Sequence, residues 1–118
     1  GKFGHFALTF GSKKVFSFDG YGIYEAIVNE EIIFSNTWKT IISTSSRGFA
    51  SSIKLSNTSI WAVGNNFYPY HFNGVDWQPI DIYSGNAPIT GNVFWGIWGN
   101  EGEIFICDTE NNLIFHGK

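Results

Sequence analysis

The chain contains 118 residues, of which 43% are hydrophobic and 19% aromatic, and it carries a formal net charge of −3. This composition excludes a disordered chain and suffices for one small domain with a hydrophobic core. The largest basic cluster is the pair Lys13 and Lys14, and no apolar run approaches the roughly 18 residues of a membrane-spanning helix. We therefore expect neither a nucleic-acid partner nor a membrane span.

The first predicted unit, residues 4–43, contains four strands. Its first strand shows the alternation of apolar residues that is typical of a strand with one buried face, at Phe6, Leu8 and Phe10. A glycine-containing turn and a second strand follow, and a fourth strand is predicted to begin at Trp38. The segment 24–34 is the best candidate for a helix, but its many β-branched residues favour a strand that leads into an enlarged loop.

The second and third units repeat this order of elements. The apolar run that begins at Val15 returns at Ile60 and again at Ile104, with offsets of 45 and 44 residues. The second unit spans residues 49–82, and the third, which has no predicted fourth strand, spans residues 92–118.

A period of this length that is built from short strands is typical of the blades of a β-propeller. The predicted fold is therefore all-β, with about two and three-quarter four-stranded antiparallel blades, and the propeller is incomplete in this chain. Because propellers have at least about four blades, the expected partners are further blades. These come either from the same longer polypeptide, which we favour, or from other copies of the chain or another chain.

The second unit carries the clearest family resemblance. Its run Ile60-Trp61-Ala62-Val63-Gly64, followed by Tyr70-His71-Phe72-Asn73-Gly74-Val75-Asp76-Trp77, resembles the WAVG-type β-propeller repeats and is similar to tectonin-like propeller lectins. The resemblance covers nearly the whole chain, although the first unit lacks the Trp-Ala-Val-Gly core. It implies a secreted protein, extracellular or periplasmic, that binds carbohydrate.

In propellers, the loops between second and third strands and the connections between blades emerge on one face, which is the default binding surface. The predicted ligand-binding residues on these segments are Asp19, Tyr21, Arg47, Asn65, Asn66, Tyr83, Asn86, Asp108 and Asn111, and Trp98, which lies near a loop, is predicted as a tenth. Their amide, carboxylate and aromatic groups suit the hydroxyl groups and ring faces of sugars.

The sequence offers little support for catalysis. The segment from Ser17 to Gly22 resembles the Asp-box of sialidase-like propellers, which we interpret as a structural turn. Arg47 is the only arginine, so an arginine clamp for an acidic sugar is absent from this segment, and the three histidines lack the spacing of metal ligands. We expect no metal and no cofactor.

The function that the sequence favours is a non-catalytic recognition module that binds a glycan or a protein through its loop face. Two alternatives remain open at this stage. The segment could belong to a propeller-type hydrolase, like a sialidase or glycosidase, whose catalytic residues lie elsewhere, or it could be a purely structural scaffold.

Overall fold

The described part of the chain is an all-β protein, as the sequence predicts. The computed structural model describes residues 5–9, 14–19, 21–27, 39–43, 48–64, 68–84, 87–88, 94, 96–108 and 113–117. Within these ranges there are thirteen strands and no helix. No helix that could cross a membrane occurs among them either.

Sheet one is an antiparallel meander of four strands in the order β1-β2-β3-β4. Its strands are β1 (His5–Thr9), β2 (Lys14–Asp19), β3 (Gly22–Ile27) and β4 (Lys39–Ser43). The helix candidate is therefore a strand through Ile27, as the β-branched residues predict, and its remaining residues lie outside the described ranges.

Sheet two repeats this antiparallel order with β5 (Phe49–Ser56), β6 (Ser59–Gly64), β7 (Tyr70–Phe72) and β8 (Trp77–Pro79). The turn between β7 and β8 is built by Asn73, whose side-chain oxygen accepts hydrogen bonds from the backbone N–H groups of Val75 and Asp76. Gly74 in this turn has a φ of 98°, which glycine adopts without a steric cost.

A two-stranded hairpin and a third sheet complete the described structure. The hairpin pairs β9 (Tyr83–Ser84) with β10 (Ala87–Pro88), and sheet three contains β11 (Gly96–Asn100), β12 (Glu103–Asp108) and β13 (Leu113–Gly117). The first strand of sheet two, β5, lies against the first strands of both other sheets, β1 and β11. The three sheets therefore approach one another along their first strands.

Two hydrophobic cores join the sheets in pairs. The core between sheets one and two contains Phe16, Phe18, Ile23, Phe49, Ile60, Ala62, Phe72 and Trp77. The core between sheets two and three contains the buried residues Val63, Phe94, Ile104 and Ile106, with Leu55, Trp61, Ile82, Ile97 and Phe115 packed against them.

The alternation of side chains along β6 explains why sheet two takes part in both cores. Ile60 and Ala62 point to the core shared with sheet one, whereas Trp61 and Val63 point to the core shared with sheet three. A strand that is covered on both faces is apolar at successive positions, and the run 60–63 has this pattern.

Candidate functional site

Five of the ten predicted ligand-binding residues fall within the described part of the chain. These are Asp19, Tyr21, Tyr83, Trp98 and Asp108. The other five lie outside the described residues: Arg47, Asn65, Asn66, Asn86 and Asn111.

Asp19 at the end of β2 holds the turn into β3. Its Oδ1 atom accepts hydrogen bonds from the backbone N–H groups of Tyr21 (2.7 Å) and Gly22 (3.1 Å) and from the hydroxyl of Tyr24 (3.2 Å). The side chain is buried, so this oxygen is engaged within the protein. The interpretation of the segment as a structural turn is confirmed by these bonds.

The acid at the end of β12 is also buried. Asp108 has no solvent-exposed surface, and its position in the third unit matches that of Asp19 in the first. Access to solvent is what a carboxylate needs to meet an external ligand. Only 5% of Asp19 and none of Asp108 is exposed to solvent, so neither carboxylate is accessible to a ligand.

The two predicted tyrosines within the described ranges are accessible. Half of the Tyr21 side chain is exposed, and the exposed fraction of Tyr83 is 56%. Tyr21 lies in the turn that Asp19 holds, whereas Tyr83 begins the hairpin that follows sheet two. These two residues are available for contact with a ligand.

Trp98 lies in the middle of β11, on a sheet face, although the sequence suggested a position near a loop. It pairs across the strands with Phe105, and Phe105 pairs with His116. The rings of Trp98 and Phe105 are 5.8 Å apart, and those of Phe105 and His116 are stacked at 4.5 Å. Trp98 is 63% exposed and lies at one end of this row of three rings.

A cleft of about 220 Å³ opens between sheets two and three. Its walls are largely apolar and come from β6, β12, β13 and the segment after β8: Trp61, Ile80, Ile82, Ile104, Ile106 and Phe115. Asp81 and Tyr83, which are both exposed, add polar side chains. His116 also borders the cleft, at a position of β13 that alternates with Phe115. Of the five predicted ligand-binding residues that the structure describes, Tyr83 alone lines this cleft.

The apolar residues of the cleft were not recognised from the sequence as a site. The signal for Ile104 and Ile106 was the strand pattern, which predicts burial and does not distinguish a packed core from the wall of a cleft. Ile80 and Ile82 follow Pro79 in a segment whose course depends on tertiary contacts. The backbone N–H of Ile80 donates to the carbonyl of Pro69, and this bond holds the segment beside sheet two.

His116 and Glu103 form an ion pair on the face of sheet three that carries Phe105. His116 Nε2 lies 3.0 Å from Glu103 Oε2, across β12 and β13. Among the described residues, no group of three His, Cys, Asp or Glu side chains has the arrangement of metal ligands. The cleft therefore presents apolar and aromatic surface, with isolated polar groups.

His71 lies beside Trp61 on the same face of sheet two. Its ring lies 4.5 Å from that of Trp61, and its Nε2 atom shares a hydrogen bond of 3.0 Å with the hydroxyl of Ser59. Burial lowers the pKa of His71 below its ordinary value of 6.5, because the charged imidazolium is poorly solvated there.

This shift predicts an acid-dependent loss of stability that His71→Gln removes. In the unfolded chain, His71 binds a proton near its ordinary pKa of 6.5. In the folded chain, it binds the proton only at a lower pH. The contribution of His71 is therefore present above pH 6.5 and falls as the pH decreases through the lower folded-state value. Urea unfolding at several pH values should show wild type losing stability relative to His71→Gln on acidification. A constant difference between the two proteins would contradict the assignment.

Comparison of the chain with protein-family models, with curated proteins and with solved structures found no match.

Proposed function

We propose that the three sheets are neighbouring blades of a β-propeller and that the chain is a non-catalytic recognition module. Three antiparallel meanders that approach one another along their first strands support the propeller arrangement. A compact apolar cleft between two of these sheets, with few polar groups, supports recognition of a ligand.

The walls of the cleft favour one class of ligand. The aliphatic side chains of Ile80, Ile82, Ile104 and Ile106 gain most from an apolar group that replaces water. A sugar needs several hydrogen-bond partners for its hydroxyl groups, and the cleft offers few. The ligand is a protein segment that inserts an aromatic or branched aliphatic side chain.

The size of the cleft agrees with such an anchor. A cavity of about 150 Å³ holds a benzene molecule, so a cleft of about 220 Å³ has room for one large side chain. Tyr83 and Asp81 at its exposed side are available to bind backbone groups of the same segment. The apolar lining is the single observation on which this assignment rests.

Filling the cleft tests the proposal. Gly117 on β13 pairs with Ile104, so a side chain at this position lies on the face of β13 that lines the cleft. A Cβ atom at Gly117 would meet no atom within 4 Å. Gly117→Leu is therefore expected to occupy the cleft without unfolding the sheet, and to abolish binding there.

N-acetyl-tryptophanamide is a suitable probe of the anchor site. At about 0.3 kcal/mol for each of its roughly 18 non-hydrogen atoms, its dissociation constant should be on the order of 0.1 to 1 mM. We expect saturable shifts of the methyl resonances of Ile82 and Ile104 in wild type, a loss of these shifts in Gly117→Leu, and weakened binding in Tyr83→Ala. Tyr21→Ala is the matched control, since Tyr21 is about equally exposed but is not part of the cleft.

Two outcomes would remove the assignment. An absence of methyl shifts at about 10 mM probe would mean that the cleft has no useful affinity for an aromatic anchor. Shifts of the same methyl groups with simple methyl glycosides, and none with the amino-acid amides, would establish glycan recognition instead.

A further inference from the structure

Sheet three has a second face, which points away from the core that it shares with sheet two. Cross-strand pairing assigns Trp98, Phe105 and His116 to this face, together with Cys107 and Ile114. The exposed fraction is 63% for Trp98 and 72% for Ile114. We call this set of five residues the open face. Side chains of this size gain free energy when another apolar surface covers them.

The corresponding face of sheet two is covered. Trp61 and His71 pair across β6 and β7 with their rings 4.5 Å apart, as Phe105 and His116 do across β12 and β13. In sheet two this face contributes Trp61 and Val63 to the core that sheet three closes. By its place in the repeat, the open face is thus the surface on which another sheet of this kind packs.

The complementary surface lies at the opposite end of the chain. The face of sheet two that meets sheet one carries Ile60 and Ala62, and the equivalent positions in sheet one are Val15 and Ser17. Val15 and Ser17 are only partly buried, and they point away from the core that contains Phe16. We call these two residues, with Tyr24 opposite Ser17, the leading face of sheet one.

The number of sheets suggests how the two faces meet. Three sheets from each of two copies make about six, which lies within the usual range of four to eight blades for a closed propeller.

We propose that two copies of this chain form a twofold dimer in which the open face of each copy packs on the leading face of the other. This inference rests on the propeller arrangement proposed above. The contact is self-complementary, since the same pair of surfaces meets twice around the symmetry axis. It covers Trp98 and Ile114, which are the two most exposed apolar residues of sheet three.

The mass in solution tests the dimer. Sedimentation equilibrium should give twice the mass of the chain for wild type, and Trp98→Glu should give the monomer mass, with at least a tenfold increase in the dissociation constant. Ile114→Lys provides a second variant at an exposed position. Val75→Lys is the matched control, because Val75 is 80% exposed on the turn of sheet two and should leave the dimer intact. A wild-type monomer at about 100 µM, or a Trp98→Glu protein that remains dimeric, would overturn the proposal.

Mixing two monomeric variants tests which surfaces meet. Val15→Lys, or Ser17→Lys if the first does not fold, should also yield a monomer. A mixture of Trp98→Glu and Val15→Lys should dimerise again, because one contact is then intact and the other brings Glu against Lys. If the open faces of the two copies packed on each other instead, mixing would restore nothing, and the proposed contact would be wrong.

These experiments can fail independently of those on the cleft. The cleft lies between two sheets of a single chain, so a monomer that still binds N-acetyl-tryptophanamide removes the dimer and leaves the recognition function. A dimer that shows no methyl shifts removes the recognition function and leaves the assembly.

Discussion

Replacing Gly64 with alanine is expected to destabilise the protein by about 3 kcal/mol or more. A Cβ atom at this buried position would overlap the carbonyl oxygen of Gly48 and lie 2.6 Å from Phe49 Cα and 2.9 Å from Ala50 N. All three are backbone atoms of β5 or of the residue before it, so no side chain can move aside to make room. The first strand of sheet two must therefore shift, or β6 must separate from it.

The effect should spread beyond sheet two. The carbonyl oxygen of Gly64 accepts a hydrogen bond of 3.0 Å from the backbone N–H of Phe94, which enters the core between sheets two and three. A displacement of Gly64 would weaken this hydrogen bond and disturb the packing of Phe94 in that core. Urea unfolding followed by tryptophan fluorescence, at one fixed protein concentration, measures the loss.

Two other glycines serve as controls for Gly64→Ala. The nearest atom to a Cβ at Gly102 is Asn100 Oδ1 at 3.6 Å, and at Gly117 no atom lies within 4 Å. Neither has the positive φ that would strain alanine. Both alanine variants should remain within about 0.5 kcal/mol of wild type or be slightly more stable. If Gly64→Ala changed the free energy of unfolding as little as these two variants, β5 and β6 would not lie as close together at this position as the structure shows.

The contrast between these glycines shows where sequence reasoning succeeds and where it stops. The repeat of the runs that begin at Val15, Ile60 and Ile104 predicts three antiparallel units, because alternation and turn residues are local signals. The all-β fold follows from them. The same signals cannot tell that Gly64 touches the backbone of β5 whereas Gly117 has open space beside it, since this difference depends on the distance between strands.

The candidate site was harder to predict for a related reason. Asp19 and Asp108 are predicted to bind ligand because they lie where second strands lead into loops of the expected binding face. Both are buried, and Asp19 bonds to the N–H groups of its own turn. Trp98 was judged by its nearness to a turn, although its neighbours are set by the pairing with Phe105. The cleft joins residues that are far apart in sequence, such as Trp61 and Phe115.

Truncation of Phe16 or Phe94 to alanine is expected to destabilise the protein by about 3 to 5 kcal/mol. Phe16 is fully buried between sheets one and two, with its ring 4.8 Å from Phe72 and 5.3 Å from Trp77. Phe94 is fully buried between sheets two and three and packs against Phe115 at 5.8 Å. Alanine at either position leaves a cavity that the neighbouring rings fill only in part.

The two variants should differ in which sheets unfold locally. Because repeated units contact their immediate neighbours, each core chiefly holds the pair of sheets on its two sides. Hydrogen exchange in Phe94→Ala should accelerate most in β11 and β12, and in Phe16→Ala it should accelerate most in β2 and β3. Phe105→Ala removes a ring of the same size from the open face of sheet three and should cost less than either. Equal acceleration in all three sheets for both variants would mean that the two cores unfold as one unit, and the division into two separate contacts between sheets would then be wrong.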